Sequence, residues 1–68
     1  MQNIKDEYIV RFMQQVQFLV AQRKEQNFTQ NDMAVILGVS LKTIQNFENY
    51  RCFDGFLIFG YKKILSFY

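Results

Sequence analysis

Apolar side chains recur at helical spacing through the first third of the chain. They share one arc of a helical wheel drawn at about 100° per residue. The members of this arc are Tyr8, Ile9, Phe12, Met13, Val16, Leu19 and Val20. Asn3 has Asp6 three residues on, which is the spacing of a capping box, and Asn27 tolerates the left-handed backbone that ends many helices. The pattern therefore predicts a long first helix within residues 1–27, capped by Asn3 and running to about Gln26.

Two short helices with a tight turn between them are predicted next. Thr29 is followed three residues later by Asp32, so each side chain can accept from the other's backbone N–H at the start of a second helix. That helix, TQNDMAVIL, ends at Gly38, because glycine adopts a backbone conformation closed to most other residues. Ser40 then caps a third helix over about residues 41–49. A chain built from such elements is predicted to be all-α.

The third helix has two chemically different faces. The apolar face holds Leu41, Ile44 and Phe47, with the charge of Glu48 among them. The opposite face holds Lys42, Gln45, Asn46 and Asn49, with Thr43 at its edge. Asparagine is a poor helix former, so several amides on one exposed face indicate selection for what their donors and acceptors touch. A merely solvated surface is the alternative explanation for this face taken alone.

Two of these helices carry a charge within their apolar stripe. Arg23 lies in the middle of the arc of the first helix, and Glu48 lies in the apolar face of the third. An unpaired buried charge costs several kcal/mol, so we expect these two side chains to pair across the core. The alternative is that one or both reach solvent at a helix end along their flexible stems.

Composition excludes several classes of function. The 68 residues include no His and one Cys, which excludes an ordinary zinc site, a disulfide framework and a Ser-His or Cys-His catalytic pair. We therefore expect no enzyme, no metal and no cofactor. The polar start MQNIKDEY does not fit a signal peptide, and no apolar run approaches the ~20 residues of a membrane span, so we expect a cytoplasmic protein. The net charge of +2 permits contact with a polyanion without demonstrating it.

The run FTQNDMAVILGVSLKTIQNFEN, residues 28–49, resembles the helix-turn-helix of the phage-repressor and Cro-type (XRE) DNA-binding family. The residues that match the family pattern are Thr29, Gln30, Met33, Ala34, Leu37, Gly38, Val39, Ser40, Thr43, Ile44, Phe47, Glu48 and Asn49. The resemblance implies one lambda-repressor-like domain, a small bundle of about four helices with its helix-turn-helix at residues 29–50. In that family an arginine of the first helix commonly pairs with the glutamate of the recognition helix, which the resemblance places on Arg23 and Glu48.

The resemblance also assigns roles to the polar residues. The third helix would lie in the major groove of B-DNA, whose width admits an α-helix. Asn and Gln can each make two hydrogen bonds to adenine, and Lys can reach guanine. The expected base-reading residues are Lys42, Gln45 and Asn46. Contacts to the DNA backbone or the groove edge are expected from Gln30, Ser40, Thr43, Asn49 and Arg51. Of these, Gln30 is expected at a phosphate, because the amino end of a helix favours anionic oxygens.

The C-terminal segment departs from the family pattern. Tyr50 stands where a glycine usually follows the recognition helix, so we expect the helix to stop in a different way. A single helix within residues 53–68, with Asp54 as its N-cap, takes the place of the family's last two.

This last helix is apolar over roughly 200° of its wheel, about twice what a helix on the surface of a monomer needs. A second copy of the chain is expected to cover the surplus, and a partner would also add stability to so small a domain. The candidates for the dimer interface are Phe56, Ile58, Phe59, Leu65 and Phe67. Val35 and Ile36 add further apolar surface where the family usually has polar residues. The alternative is that the helix lies between the first helix and the core of its own chain.

The sequence thus predicts a sequence-specific, double-stranded DNA-binding transcriptional regulator, most simply a small dimeric repressor that occupies an operator. Similar small proteins serve phages, plasmids and toxin-antitoxin modules, and a toxin would be a protein partner in the last case. The alternative is a protein-interaction module that keeps the helix-turn-helix scaffold without binding DNA, which the modest charge leaves open. Salt distinguishes the two, because DNA binding weakens steeply as salt rises and an apolar interface does not.

Overall fold

Four helices make up the part of the chain that the computed structural model describes, residues 4–66. They are α1 at Ile4–Glu25, α2 at Gln30–Leu37, α3 at Leu41–Glu48 and α4 at Gly55–Leu65. No strand occurs within residues 4–66. The predicted all-α bundle of about four helices is confirmed. Two predictions, the Asn3 cap and the interface residue Phe67, lie outside the described residues.

Side chains cap the starts of α2, α3 and α4 as the sequence predicts. At α2 the Asp32 N–H donates to Thr29 Oγ1 at 3.0 Å, and the Thr29 N–H donates back to Asp32 Oδ2 at 2.9 Å. At α3 the hydroxyl of Ser40 accepts from the N–H three residues on at 3.1 Å, and at α4 the carboxylate of Asp54 accepts from the N–H two residues on at 2.9 Å. Each cap satisfies a backbone donor that has no partner within its helix.

All four helices end at a residue in the left-handed conformation, which is Ser66 for α4. For the other three these residues are Asn27 after α1, Gly38 after α2 and Tyr50 after α3, with φ of 66°, 70° and 63°. After each of these three, the next N–H donates to the carbonyl five residues earlier, as in a Schellman motif. These bonds are Phe28 to Arg23 at 3.0 Å, Val39 to Ala34 at 3.0 Å and Arg51 to Asn46 at 2.8 Å. The expected different stop after α3 is wrong, since Tyr50 takes the usual backbone conformation of the missing glycine.

The core is centred on the ring of Phe47, which projects from α3 and is fully buried. Phe12 of α1 meets it edge to face, with 6.2 Å between ring centroids and 85° between planes. Tyr61 of α4 packs on it tilted, with centroids 4.9 Å apart. The other buried apolar residues are Val16, Leu19, Met33, Ala34, Ile44, Leu57 and Leu65. All four helices therefore contribute to one core, and α3 lies against it along its apolar face.

The amino-terminal part of α1 extends beyond this core. With 22 residues, α1 is about 33 Å long, and the molecule measures 40 × 22 × 16 Å. Tyr8 remains 74% exposed and Ile9 is also exposed, although both lie on the predicted apolar arc. The arc is therefore buried only from about Phe12 onward, because the helix is longer than the core it packs against.

The inner face of α4 packs against its own chain, which agrees in part with the alternative left open by the sequence. Leu57 and Tyr61 are fully buried, and a Cβ added at Gly60 would lie 2.5 Å from Leu37 Cδ2, so α4 approaches α2 closely there. Leu65 is 2% exposed and belongs to the core, so its prediction as an interface residue is wrong. Phe56 and Phe59 face outward, 57% and 52% exposed, and Ile58 is half-buried.

Candidate nucleic-acid interface

The polar face of α3 points away from the core. Ile44 and Phe47 are fully buried on the other side of the helix. Lys42 and Asn49 are exposed, and Gln45 and Asn46 are half-buried. The hydroxyls of Ser40 and Thr43 lie 2.9 Å apart at the start of α3, where Ser40 also caps the helix. The predicted base-reading residues thus share one accessible surface.

A cleft runs beside this face, between the end of α1, the start of α2 and α3. Its lining includes the polar side chains Lys24, Asn27, Gln30, Asn31 and Asn49. Lys24 and Asn31 were not among the predicted DNA contacts. The wheel placed Lys24 outside the apolar arc, but its distance from the third helix depends on how α1 crosses α3. The cleft brings a cation and several amide donors next to the amino end of α2, where backbone N–H groups favour an anionic oxygen.

Arg23 and Glu48 form the predicted ion pair at the floor of this cleft. Arg23 Nε donates to Glu48 Oε2 at 2.7 Å, and Arg23 Nη2 donates to Glu48 Oε1 at 2.9 Å. The two residues are only 6% and 9% exposed, so neither reaches solvent along its stem. Arg23 Nη1 also donates to the carbonyl of Phe28 at 2.7 Å. The pair therefore fastens the last turn of α3 to α1 and to the loop that enters α2.

Two further donors reach the same carboxylate, and the sequence pattern predicts neither of them. The hydroxyl of Tyr61 donates to Glu48 Oε2 at 2.6 Å, and Gln30 Nε2 donates to Glu48 Oε1 at 3.1 Å. Gln30 was expected at a DNA phosphate, and one of its two amide N–H groups is engaged here instead. The other N–H and the α2 backbone remain for the phosphate contact, which stays a prediction. We call Glu48, Arg23, Gln30 and Tyr61 the Glu48 network.

Burial and the Glu48 carboxylate keep the Tyr61 hydroxyl protonated. Burial raises the pKa of Tyr61 well above its ordinary value, and the hydrogen bond to the Glu48 carboxylate and the negative charge of that carboxylate raise it further. The nearby Arg23 opposes this by a smaller amount. Because the pKa is higher in the folded state, the stability that Tyr61 contributes is complete below the ordinary pKa of 10.0 and is lost as the pH rises above it.

We therefore expect the protein to lose stability above about pH 10, at up to about 1.4 kcal/mol per pH unit from this one proton. Urea unfolding at about pH 8 and about pH 11 measures the loss for the wild type, for Tyr61→Phe and for Tyr8→Phe. Tyr61→Phe should lose less stability over this range than the other two, because it removes the buried hydroxyl, whereas Tyr8 is exposed and lies outside the Glu48 network. Equal losses in all three proteins would show that Tyr61 does not cause the alkaline sensitivity.

In this bundle α2 and α3 are joined by a tight turn at Gly38. A buried carboxylate and apolar side chains fix α3, and its polar face is left accessible beside a cleft. This arrangement is typical of the helix-turn-helix class. The helix-turn-helix family model matches residues 19–54, which is 36 of the 68 residues. The chain belongs to the XRE/Cro-type helix-turn-helix family. That family comprises DNA-binding regulatory domains rather than catalytic ones. Comparison with curated proteins found no match, and neither did comparison with solved structures.

The matched region covers α2, α3 and their caps but leaves out most of α1 and all but the N-cap of α4. The amino-terminal turns of α1 and the outer face of α4 therefore lie outside the region that the family model matches. Within residues 4–66, no helix is both long and apolar enough to cross a membrane. The same part of the chain has no group of three His, Cys, Asp or Glu side chains placed to hold a metal ion.

Proposed function

We propose that this protein is a sequence-specific regulator of transcription that binds double-stranded DNA as a dimer and represses by occupying an operator. The observation that carries the proposal is the outward polar face of α3, held in place by the fully buried side chains of Ile44 and Phe47 on the opposite side of the helix. Its setting would be a phage, a plasmid or a toxin-antitoxin module. In the last case a toxin is a further protein partner.

Base reading is assigned to α3. An α-helix fits the major groove of B-DNA, and recognition helices present their amino-terminal residues to the base edges. Lys42 is the second residue of α3 and can reach the guanine acceptors, while Gln45 and Asn46 lie one turn further on and can bond to adenine. These three side chains would carry the sequence preference.

Contacts to the DNA backbone would orient the domain on the duplex. Arg51 is exposed just past α3, and Asn49 and Thr43 flank the base-reading residues. Gln30 and Ser40 lie at the amino ends of α2 and α3, where backbone dipoles favour phosphate oxygens. Lys24 joins this set because it lines the same cleft as Gln30. Such contacts would raise affinity for every sequence alike.

A second copy of the chain is the proposed occupant of the outer apolar edge, by which we mean Tyr8, Ile9, Phe53, Phe56 and Phe59. All five side chains are exposed. Phe53 meets Phe12 edge to face at 5.2 Å, so the α4 part of the edge adjoins α1. The same turns of α1 carry both signs of charge, Lys5 and Arg11 against Asp6 and Glu7, which a two-fold axis can bring opposite each other. A dimer would also present two recognition helices to two half-sites.

The experiment that tests the proposal is selection of the purified protein on a randomised duplex DNA library at moderate salt, followed by sequencing of the retained DNA. An enriched site with two-fold symmetry, and half-sites about one helical turn apart, would support a dimeric operator-binding protein. Weak retention with no enriched sequence would favour the interaction module, to which the exposed apolar edge also points. The affinity of such a module for its protein partner would change little with salt.

Asn46→Ala is expected to relax the preference at one base position by about 1–3 kcal/mol, because its amide can make two hydrogen bonds to an adenine edge. The same library selection measures this directly. Gln14→Ala, an exposed amide on α1, is the matched control and should leave the selected site unchanged. Arg51→Ala should weaken binding to all sequences. It should also reduce the slope of log affinity against log salt concentration by about 1, because one phosphate contact is lost. An unchanged site with Asn46→Ala would show that this residue does not read a base.

A further inference from the structure

All four helices meet at the carboxyl end of the recognition helix. Glu48 is the last residue of α3, and its carboxylate accepts from Arg23 on α1, Gln30 on α2 and Tyr61 on α4. Arg23 supplies the neutralising charge, which alone would satisfy the electrostatics of the pair. The other two donors, Gln30 and Tyr61, are neutral, so they add hydrogen bonds that orient the carboxylate without adding charge.

We propose that Tyr61 is a positioning residue for DNA reading: its hydroxyl fixes the end of α3 and thereby the angle at which Asn46 and its neighbours meet the bases. This inference rests on the proposed function. The family match ends at residue 54, before α4 begins, so it does not assign this role to Tyr61.

The geometry of Tyr61 supports this role in two ways. Its ring packs on Phe47 with centroids 4.9 Å apart, while its hydroxyl lies 2.6 Å from the carboxylate of the next residue, Glu48. Tyr61 thus holds two successive residues of α3, one by an apolar contact and one by a polar contact. The base-reading Asn46 comes directly before these two residues, and Asn49 comes directly after them.

Tyr61 adds a second bond to one oxygen of the Glu48 carboxylate. Arg23 bonds both oxygens from α1, and Gln30 bonds Oε1 from α2, so without Tyr61 the Oε2 atom is held from α1 alone. The Tyr61 hydroxyl reaches the same Oε2 atom from a different helix, α4. It donates to Oε2 at 2.6 Å, and Arg23 Nε donates to Oε2 at 2.7 Å. Two short bonds from two helices fix the direction of the carboxylate, and therefore the last turn of α3.

The same arrangement connects DNA reading to the proposed dimer. Tyr61 lies on the inner face of α4, and Phe56 and Phe59 lie on the outer face of the same helix. A second copy seated on the outer face would therefore be held at a fixed angle to α3 through α4 and Tyr61. The spacing between the two recognition helices would depend on this one hydroxyl as well as on the interface.

Tyr61→Phe tests the inference, because it removes the hydroxyl and keeps the ring on Phe47. Affinity is measured by titration with the selected site and with a DNA of scrambled sequence, on protein shown to be folded by circular dichroism. We expect Tyr61→Phe to weaken binding to the selected site about tenfold and to leave binding to scrambled DNA, and its salt dependence, unchanged. Tyr50→Phe removes a hydroxyl from a half-buried tyrosine that lies outside the Glu48 network, and should change neither affinity.

A second measurement isolates positioning from stability. If Asn46 reads a base only when α3 is held correctly, Asn46→Ala should cost less in the Tyr61→Phe background than in the wild type. If Tyr61→Phe is incompletely folded in buffer, all titrations are repeated in trimethylamine N-oxide, which favours the compact state of every variant.

The outcomes separate the two proposals. A wild type that does not distinguish the two DNAs would overturn the proposed function, and the inference with it. A wild type that does distinguish them, together with a folded Tyr61→Phe of equal preference, would overturn only the positioning role. Equal weakening on both DNAs would also overturn that role, because it would indicate a general change in the binding surface.

Discussion

Glu48→Ala is expected to lower the free energy of unfolding by about 3–5 kcal/mol. The substitution leaves the guanidinium of Arg23 buried without a counter-ion, and the hydroxyl of Tyr61 and the amide of Gln30 lose their acceptor. A core of this size supplies only about 3–5 kcal/mol in total, so the variant should be largely unfolded at room temperature. Far-UV circular dichroism and a thermal melt measure the loss of helix and of the cooperative transition.

Three further variants show whether the stranded charge is the cause. Asn49→Ala changes the next residue, which is exposed, and should melt close to the wild type. Glu48→Gln keeps the shape and one acceptor, so its loss should be intermediate. Arg23→Met combined with Glu48→Leu removes both charges and should be more stable than Glu48→Ala, because no unpaired ion remains buried. A Glu48→Ala protein within about 1 kcal/mol of the wild type would contradict a costly buried pair.

The helix ends were predictable because their signals are local. Thr29, Ser40 and Asp54 each cap a helix through a backbone N–H two or three residues away, so the sequence alone contains both partners. The Arg23–Glu48 pair was also predictable from the sequence, since two opposite charges on otherwise apolar faces have few other stable arrangements.

Tyr50 shows where a local rule fails. Glycine is preferred at a left-handed helix end because a side chain there costs roughly 1–2 kcal/mol. Tyr50 nevertheless adopts a φ of 63°. The N–H of Arg51 donates to the carbonyl of Asn46 at 2.8 Å, which is the bond that usually accompanies a glycine at this position. Tertiary packing therefore sets the conformation, because Tyr50 is half-buried against the core.

The Glu48 network was predictable only in part, for a different reason. Tyr61 lies 13 residues from Glu48, and Gln30 lies 18 residues from it. A wheel counts tyrosine as apolar and treats glutamine as a surface residue, so it gives neither side chain a buried hydrogen-bond partner. Their roles depend on how α2 and α4 cross α3, which the periodicity of one helix does not contain.

The apolar width of α4 raised the same difficulty. A helix apolar over roughly 200° offers several faces to a core, and periodicity does not say which one is used. The structure turns Leu57, Tyr61 and Leu65 inward and leaves Phe56 and Phe59 outside. Apolar side chains are left exposed at Phe56 and Phe59, but one of the predicted interface residues, Leu65, lies in the core.

Phe56→Asp is expected to convert the proposed dimer to a monomer and to lower affinity for the selected site by about 10²–10⁴-fold, because the two half-sites are then bound independently. A carboxylate at this position would be buried without a partner in an apolar interface. The helix itself should persist, since an acidic side chain in the first turn of α4 is favourable to the helix dipole. Sedimentation analysis over a range of concentrations gives the oligomeric state, and titration with DNA gives the affinity.

Gly55→Asp is the matched control for this substitution. It places the same charge one residue earlier in the same turn of α4, and a Cβ there meets no atom within 4 Å. Because Gly55 presents no apolar side chain, dimerisation and affinity should stay close to wild type. A wild type that is monomeric alone and on its selected DNA would rule out the dimer. A Phe56→Asp protein that still dimerises would move the interface away from α4, and the exposed Val35 and Ile36 of α2 would then be the next surface to substitute.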